Sequence, residues 1–287
     1  MILLSFGHGY SAQGLARVLP QGWKVIGTTR TAERATVLAE TGIIARQFPG
    51  DDLTDDLDRA THLLVSAGPG PGGDPVLSAL RDRIAAVAGD KTWIGYLSTT
   101  GVYGDHAGGW VTEDTPLIPS TARGVARVKA EQAWQALAAE TGAPLHIFRL
   151  AGIYGPGRGP FAKVRGGAAR RIIKPGQVFN RIHVDDIAQV LWASMQSPVF
   201  GGRTYNVCDD KATPPQDVIA HAAKLLGLPI PPAIPIEKAG MTAMARSFYA
   251  ESKRVDNSRI KTELGIRLRY PDYRSGLKAL LAAEDME

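Results

Sequence analysis

The sequence predicts an α/β protein with a doubly wound parallel sheet and a smaller C-terminal lobe. Short runs rich in Val, Ile and Leu alternate with stretches of helical periodicity as far as Leu150. Strands of a parallel sheet have this apolar character because helices cover both faces of the sheet. After Tyr154 the sequence changes to segments rich in glycine, proline and basic residues, which favour loops and short elements.

Each element follows from its local pattern. Apolar runs predict strands at Ile2–Phe6, Lys24–Thr28, Ile43–Phe48, His62–Ala67, Thr92–Ser98, Leu145–Leu150 and Thr204–Cys208. Apolar residues at helical spacing predict helices over Ala12–Leu19, Ala32–Glu40, Val76–Val87, Gly124–Glu140, Asp186–Met195, residues 213–227 and near Arg274–Ala283. The PIPPAIP stretch between the last two helices predicts an extended connector.

The composition restricts the function. Apolar residues make up 44% and charged residues 21% of the 287 residues, as in ordinary soluble proteins. The net charge of +5, without clustered aromatic residues, argues against nucleic acid and fits an anionic small-molecule substrate. The single cysteine, Cys208, favours a reducing, cytoplasmic location, and no apolar run is long enough to span a membrane. We expect no metal site, because His183, Asp185 and Asp186 fit a helix start with Asp185 as its N-cap.

The residues after the first strand carry the clearest functional motif. The stretch from Gly7 to Ala12, GHGYSA, fits G-x-G-x-x-G/A between a strand and a helix. The first glycine permits a tight turn, the second lets backbone N–H groups approach a diphosphate, and a small third residue lets helix and strand pack closely. The helix N-terminus adds a positive dipole. The motif therefore predicts dinucleotide binding in a Rossmann-type domain, with a merely structural turn as the alternative.

The end of the second strand indicates which dinucleotide binds. An NAD site usually carries Asp or Glu there to hold the adenosine ribose hydroxyls. This chain instead has Thr28, Thr29 and Arg30, with no carboxylate before Glu33. An arginine at this point favours a 2′-phosphate, so the sequence predicts NADP as the coenzyme, with NAD less favoured.

Three motifs downstream of the glycine loop resemble those of one superfamily. They are YLSTTGVYGD at Tyr96–Asp105, FRLAGIYGPGR at Phe148–Arg158 and NRIHVDDIA at Asn180–Ala188. Together they resemble the short-chain dehydrogenase/reductase superfamily, on its extended and atypical NAD-dependent epimerase/dehydratase side. The resemblance covers nearly the whole chain, and it is specific for the superfamily but not for a substrate.

The resemblance implies roles for individual residues. Those implied to bind the coenzyme are Gly7, Gly9, Tyr10, Ser11, Ala12, Arg30, Asp52, Ser66, Ala67, Gly68, Lys129, Ile153 and Tyr154. The implied catalytic residues are Thr99, which holds the substrate oxygen, and Lys129, which binds the nicotinamide ribose. Thr100 falls on the substrate side, as does Asp74, which a loose alignment places where the superfamily has a catalytic Asn.

One position departs from the superfamily pattern. The superfamily carries a catalytic Tyr four residues before its lysine, and counting from Lys129 that position is Val125. Valine cannot transfer a proton. Three alternatives stay open: Tyr103 reaches the site, water with Lys129 moves the proton, or there is no hydride chemistry.

The sequence thus supports two functions. One is an NADP-dependent epimerase/dehydratase or reductase. It would be an oxidoreductase or isomerase that transfers hydride between the coenzyme and a small, sugar-like carbonyl or hydroxyl compound. The other is a non-catalytic, NADP(H)-responsive binding or regulatory protein.

A basic segment borders the substrate cleft in the superfamily. From Arg158 to Arg181 the chain has seven basic residues and no acidic one. Because arginine matches the geometry of phosphate and carboxylate groups, Arg158 and Arg181 are predicted to bind an anionic substrate. The alternative is a solvated, mobile loop.

The domain organisation and the assembly are also expectations. We expect residues 1–154 and 178–208 to form the NADP-binding Rossmann domain, and residues 155–177 and 209–287 to form the substrate-side lobe. The resemblance implies a homodimer through the helix Gly124–Glu140, with Trp134 either in the dimer face or in the monomer core.

Overall fold

The computed structural model describes residues 1–89, 92–197 and 202–284. Its strands are β1 (Ile2–Phe6), β2 (Lys24–Thr29), β3 (Ile44–Gln47), β4 (His62–Val65), β5 (Trp93–Thr99), β6 (Trp110–Val111), β7 (Leu145–Leu150), β8 (Gly152–Tyr154), β9 (Arg171–Ile173), β10 (Arg181–His183), β11 (Arg203–Val207), β12 (Ala233–Pro235) and β13 (Arg254–Val255). Its helices are α1 (Tyr10–Val18), α2 (Ala32–Ala39), α3 (Thr54–Arg59), α4 (Pro75–Val87), α5 (Ala122–Thr141), α6 (Phe161–Arg165), α7 (Val184–Gln196), α8 (Pro215–Leu225), α9 (Ala243–Tyr249), α10 (Ser258–Leu264) and α11 (Tyr273–Glu284). Short 3₁₀ turns lie at Thr100–Tyr103 and Ile236–Lys238.

Seven strands form one parallel sheet in the order β3-β2-β1-β4-β5-β7-β11. The chain runs outward from β1 to β3 and then returns to β4 on the other side of β1, so the winding reverses between β1 and β4. A crevice forms at such a reversal, beyond the carboxyl ends of the strands, and doubly wound sheets bind ligands there. The predicted fold class is confirmed.

Helices cover both faces of the sheet. Successive strand residues alternate between the two cores: Leu3 packs with α1 and α7, and Leu4 packs with α4 and α5. Trp134 of α5 is fully buried in the second core, where its ring lies 6.2 Å from that of Tyr96. Trp134 therefore belongs to the monomer core and is not available to a dimer face.

The C-terminal part has a small core of its own. Helices α6, α8 and α11 bury Phe161, Ala222 and Leu277 against one another. The PIPPAIP stretch contributes a strand to this region, because β12 pairs in parallel with β9. Val255 and Ile260 pack instead with the core of the main sheet, so the chain after residue 209 is shared between the two regions. The domain boundaries given above stay a prediction. None of the described helices is both long and apolar enough to cross a lipid bilayer.

Candidate functional site

The glycine loop makes the turn between β1 and α1 that its motif predicts. Gly7 has a φ of +74°, and a Cβ atom built there would lie 2.9 Å from the backbone nitrogen of Ala67. The Gly7 N–H donates to Thr28 Oγ1 at 2.9 Å, which ties the loop to β2. Both the backbone conformation and the close approach of the chain after β4 therefore require glycine at position 7.

Gly9 leaves free space at the start of α1. It is the N-cap of this helix, with φ at −98°, and the nearest atom to a Cβ built there is the Gly7 carbonyl oxygen, 3.7 Å away. No side chain caps α1, and its first turn has no acidic residue. Because the first N–H groups of a helix have no partner within it, this end suits a diphosphate. The residues present therefore fit a dinucleotide coenzyme.

A cavity of about 740 Å³ lies at this edge of the sheet. The glycine loop, the ends of β5 and β7 and the first two turns of α5 meet in it. The predicted site residues that line it are Gly7, Gly9, Tyr10, Ser11, Ser66, Thr99, Thr100, Ile153, Tyr154, Arg158 and Arg181. Ala12 lies behind the loop, fully buried in the core between α1 and the sheet. The structure thus brings most of the predicted residues to one place.

Helix α5 presents a different face to the cavity from the predicted one. Arg123 and Arg127 line the cavity. Val125 and Lys129 are exposed to solvent and do not line the cavity. Two residues along an α-helix rotate the side chain by about 200°, to the other side of the helix. The predicted pair of Val125 and Lys129 is therefore corrected: the residues four apart that face the cavity are Arg123 and Arg127.

The start of α5 determines which face this is. Thr121 caps the helix, and its Oγ1 accepts a hydrogen bond from Gly124 N at 3.0 Å. A Cβ at Gly124 would lie 2.9 Å from the Gly101 carbonyl oxygen, so glycine permits α5 to approach the turn after β5. Arg127 then reaches the sheet, where its Nη1 donates to the carbonyl oxygen of Leu97 at 2.6 Å.

Tyr103 does not reach the cavity. It is fully buried, and its hydroxyl donates to Asn206 Oδ1 at 2.6 Å and accepts from Arg149 Nη1 at 2.9 Å. Burial raises the pKa of Tyr103 to about 12. The alternative in which Tyr103 supplies the proton is therefore wrong.

A buried ion pair supports the end of β5. Arg149 Nη2 lies 2.8 Å from Glu131 Oε2, and the two side chains are 5% and 1% exposed. Glu131 also accepts a hydrogen bond from the hydroxyl of Ser98, which lines the cavity. The pair therefore fixes α5 and β7 against the strand that carries Thr99.

Tyr154 turns its hydroxyl away from the cavity. A Cβ added to Gly276 of α11 would collide with the Tyr154 hydroxyl oxygen, so this group points into the lobe. Burial raises the pKa of Tyr154 above its ordinary value, and the nearby carboxylates of Asp209 and Asp186 raise it further. The ring of Tyr154 can border a coenzyme, but its hydroxyl is not placed to transfer a proton there.

Besides Ala12 and Lys129, the predicted residues that do not line the cavity are Arg30, Asp52, Ala67, Gly68 and Asp74. Asp74 caps α4, since its Oδ1 accepts from two backbone N–H groups at 2.9 and 3.0 Å, and this role replaces the predicted contact with substrate. Asp52 accepts from Thr54 N at 2.9 Å. Arg30 is exposed at the end of β2. Contacts of Asp52 and Arg30 with the adenosine half of a coenzyme stay predictions.

The helix after β10 begins earlier than expected. It starts at Val184, and the side chain of His183 is its cap, because Nδ1 accepts a hydrogen bond from Asp185 N at 3.2 Å. The expectation that Asp185 is the N-cap is wrong, because Asp185 already lies in the first turn. Asp186 instead accepts from the backbone N–H groups of Arg269 and Tyr270, at 2.7 and 3.0 Å.

The basic segment is not a solvated loop. Arg165 pairs with Glu284 at 2.6 Å, and Arg170, Arg171 and Lys174 donate to backbone carbonyl groups in the C-terminal part of the chain. Most of this positive charge therefore holds the structure together. Only Arg158 and Arg181 of the segment line the cavity.

The cavity carries positive charge that the protein does not offset. Arg123, Arg127, Arg158 and Arg181 line it, and none forms an ion pair with a carboxylate in the part of the chain that the structure describes. Ten other arginines of this chain do form such pairs. A cavity with unpaired guanidinium groups favours ligands that carry several negative charges.

One part of the cavity lining was not predicted from the sequence. Its residues include Phe179, Asn180, Phe248, Glu251 and Lys253. They come from segments far apart in the chain that hydrogen bonds join, as where Asn180 Nδ2 donates to the Lys253 carbonyl oxygen at 2.9 Å. Asn180 lies in a motif that the resemblance used, but no local signal marks the other four.

Comparison with known proteins identifies relatives along the whole chain. The model of the NAD-dependent epimerase/dehydratase family matches residues 75–208. Protein YeeZ of Escherichia coli strain K12 is 32% identical over 280 residues, which cover 93% of this chain and 95% of YeeZ. A solved structure of a functionally unknown conserved protein from Silicibacter pomeroyi DSS is 60% identical, with a TM-score of 0.92 and 99% of each chain covered.

A more distant structure shows the same fold with a coenzyme. UDP-glucuronic acid 4-epimerase from Bacillus cereus, in complex with NAD, has a TM-score of 0.78 over 98% of this chain and 96% of its own. The identity is 19%, so this likeness concerns the fold alone.

Proposed function

The chain belongs to the NAD-dependent epimerase/dehydratase family, and from this premise we propose that it is an NADP(H)-dependent oxidoreductase or isomerase. It moves hydride to or from a carbonyl or carbinol carbon of a small anionic substrate. The observation that carries this proposal is the single cavity where the glycine loop, the Thr99 end of β5 and the arginine face of α5 meet.

Several groups support the binding of NADP. The N-terminus of α1 at Gly9 would receive the diphosphate. Arg158, whose guanidinium lies 5.6 Å from the ring centroid of Tyr10 in the first turn of α1, adds positive charge beside it. Arg30 would bind the 2′-phosphate. Arg127, with Nη2 3.4 Å from a Cβ built on Gly68, would hold the ribose next to the nicotinamide.

The chain's own groups would then orient the substrate and stabilise charge. When bound, the nicotinamide supplies or accepts the hydride. Thr99 Oγ1 accepts from Gly101 N at 3.2 Å, which leaves its hydroxyl proton free to donate to the substrate oxygen. Arg123 adds a fixed positive charge for an oxyanion. Arginine does not release its proton at physiological pH, so water must exchange the proton, and we expect turnover about 10²–10⁴-fold below that of a site with a positioned acid.

The second candidate is a non-catalytic NADP(H)-responsive binding protein. It is favoured by the same arginine face, because α5 offers the cavity two guanidinium groups where the superfamily has a tyrosine and a lysine. Such a site would keep the coenzyme and its charge complementarity without a proton donor on this helix.

Coenzyme binding and turnover separate the two candidates. Purified protein is titrated with NADPH and with NADH by fluorescence, and NADPH oxidation is then followed by absorbance against a panel of aldehydes, ketones and keto acids. The enzyme proposal expects tight NADPH binding and sustained, catalytic oxidation with at least one carbonyl class. Binding without turnover on the panel favours the regulatory candidate, and folded protein that binds neither coenzyme contradicts both.

A matched pair of variants tests the role of α5. Arg123→Ala removes a cavity charge, whereas Lys129→Ala removes an exposed charge of the same helix that lies outside the cavity lining. Only Arg123→Ala is expected to reduce turnover, with NADPH affinity retained. Equal loss in both variants contradicts the assignment of the helix face.

A further inference from the structure

Arg181, which lines the cavity, has no ion-pair partner among the residues that the structure describes. Arg181 is partly buried, and its Nη1 donates to the carbonyl oxygens of Phe179 and Thr213 at 3.1 and 3.3 Å. Within the described ranges of the chain, Arg181 forms no ion pair, and its Nε and Nη2 have no hydrogen-bond acceptor. These two nitrogens are the pair that a carboxylate can accept from side by side.

The carboxyl group beside Arg181 does not neutralise it. Asp209 is 2% exposed, its Oδ2 has no hydrogen-bond partner among the described residues, and it lies beyond ion-pair distance of the guanidinium. Burial raises the pKa of Asp209 to about 8 although the Arg181 charge acts to lower it, so burial disfavours the charged form of this carboxyl. A buried guanidinium that the protein leaves uncompensated costs free energy, and an anionic ligand offsets that cost.

Two other charges of the cavity lining cancel. Lys253 Nζ lies 2.7 Å from Glu251 Oε2, and both side chains are largely buried. Ser120 Oγ also donates to Glu251, which holds this carboxylate in place. The unpaired positive charge here is therefore that of Arg181 together with Arg123, whose guanidinium lies 5.5 Å from the Phe248 ring centroid, and the Glu251 carboxylate disfavours a ligand that carries many negative charges.

Planar apolar surface lines the same cavity. Phe248 lines the cavity with 54% of its surface exposed, and the Arg123 guanidinium lies 5.5 Å from its ring centroid. Phe179 also lines the cavity and is held by an edge contact with Tyr249 at 5.4 Å. Large aromatic side chains exposed in a cavity contact flat ligand groups through offset or edge-to-face stacking.

We propose that the part of the cavity lined by Arg181, Phe179 and Phe248 recognises a carboxylate carried on a planar, aromatic body. Arg181 binds the carboxylate through Nε and Nη2, and Phe179 and Phe248 contact the planar body. This inference rests on the proposed function only in taking this cavity as the substrate site. It names an aryl carboxylic acid, rather than a nucleotide sugar, as the substrate class.

The test is a set of matched probes measured by calorimetry, with and without NADPH. Cinnamate carries both features, cinnamamide lacks the charge, cyclohexanecarboxylate lacks the planar ring, and UDP-glucuronate represents a nucleotide sugar. We expect cinnamate to bind at least about tenfold more tightly than cinnamamide, because a charge-assisted hydrogen-bond pair is lost. Cyclohexanecarboxylate and UDP-glucuronate are expected to bind more weakly than cinnamate.

Three variants locate the effect. Arg181→Gln keeps a donor for the Phe179 carbonyl oxygen and is expected to remove the difference between cinnamate and cinnamamide, while Arg181→Lys keeps part of it. Phe248→Ala, at an exposed position, is expected to weaken both probes equally. The control is Arg203→Gln, which removes an exposed arginine that pairs with Glu263 outside the cavity.

The outcomes distinguish this inference from the function on which it rests. Equal affinity of wild-type protein for cinnamate and cinnamamide, or tighter binding of UDP-glucuronate than of cinnamate, overturns the aryl carboxylate site whatever NADPH does. Carboxylate-selective binding that depends on Arg181, in a protein that does not bind NADPH, supports the site and contradicts the proposed function.

Discussion

Replacing Arg127 by alanine tests the corrected face of α5. Arg127 lines the cavity, and its Nη1 bonds the Leu97 carbonyl oxygen at 2.6 Å and the Tyr96 hydroxyl at 3.1 Å. Its other nitrogens remain for the coenzyme ribose. Loss of one charge-assisted hydrogen bond costs about 1.5–3 kcal/mol, so NADPH affinity should fall by about 10- to 150-fold. The assay is fluorescence titration with NADPH, with thermal unfolding measured in parallel.

Two further variants test whether the effect is specific to Arg127. Arg127→Lys keeps a positive charge at the same place and should recover a large part of the affinity. Lys129→Ala removes an exposed charge outside the cavity lining and should change NADPH affinity by less than about twofold. If Lys129→Ala weakens NADPH binding as much as Arg127→Ala does, the assignment of the helix face is refuted.

Three other predictions concern stability and coenzyme choice. Arg149→Met leaves Glu131 buried without its ion-pair partner and should cost about 3–5 kcal/mol of unfolding free energy in urea; the double variant with Glu131→Met should recover much of this, and equal losses would contradict the coupling. Burial lowers the pKa of His8 to about 4, so the unfolded chain binds more protons than the folded one between about pH 6.5 and 4. The free energy of unfolding should therefore decrease as the pH falls through that window, and His8 should contribute up to about 3 kcal/mol of this decrease. Urea unfolding of the wild type and of His8→Leu at pH 7 and pH 4.5 measures it, and the variant should lose less stability between the two pH values. An equal loss in both proteins would contradict the role of His8. Arg30→Ala should weaken NADPH binding about tenfold or more and leave NADH binding unchanged in parallel titrations, whereas equal effects on both would remove Arg30 from the 2′-phosphate site.

The sheet could be predicted from the sequence because its strands are buried on both faces. Ile2–Phe6 and Leu145–Leu150 were predicted with the bounds that the structure has, and the other five strands of the sheet end within two residues of their predicted ends. Such apolar runs between helical segments have few alternative explanations. The glycine loop was equally readable, because the G-x-G-x-x-G/A pattern lies within six consecutive residues between a strand and a helix.

The site was harder to predict on α5, because the rotation of the helix about its axis decides which side chains face the cavity. Counting from the only lysine on α5 placed Val125 and Lys129 at the cavity, but the Thr121 cap and the close contact at Gly124 bring Arg123 and Arg127 there. A shift of two residues leaves the helix intact and exchanges its faces. The spacing of residues in the sequence does not determine how the helix is rotated when it packs against the sheet.

Carboxylates and distant segments account for the remaining differences. Asp74 looks chemically available in the sequence, but its carboxylate is used by the backbone N–H groups that begin α4. Asp residues before helices commonly have this role. The part of the cavity lining that includes Arg181 and Phe248 depends on contacts between segments that are far apart in sequence. One such contact is the hydrogen bond from the Asn180 side chain to the Lys253 carbonyl oxygen. No local pattern carries that information.

We propose that the open space above Gly9 receives the diphosphate of a dinucleotide. Gly9→Ala tests it most directly, because φ is −98° and the nearest neighbour of the new Cβ lies 3.7 Å away, so the folded protein has room for the methyl group. The measurement is NADPH titration of wild-type protein and Gly9→Ala at matched thermal stability. We predict saturable binding by the wild type and at least about tenfold weaker binding by the variant, since the methyl group occupies the approach to the helix N-terminus. Equal NADPH affinity in the two proteins would contradict it.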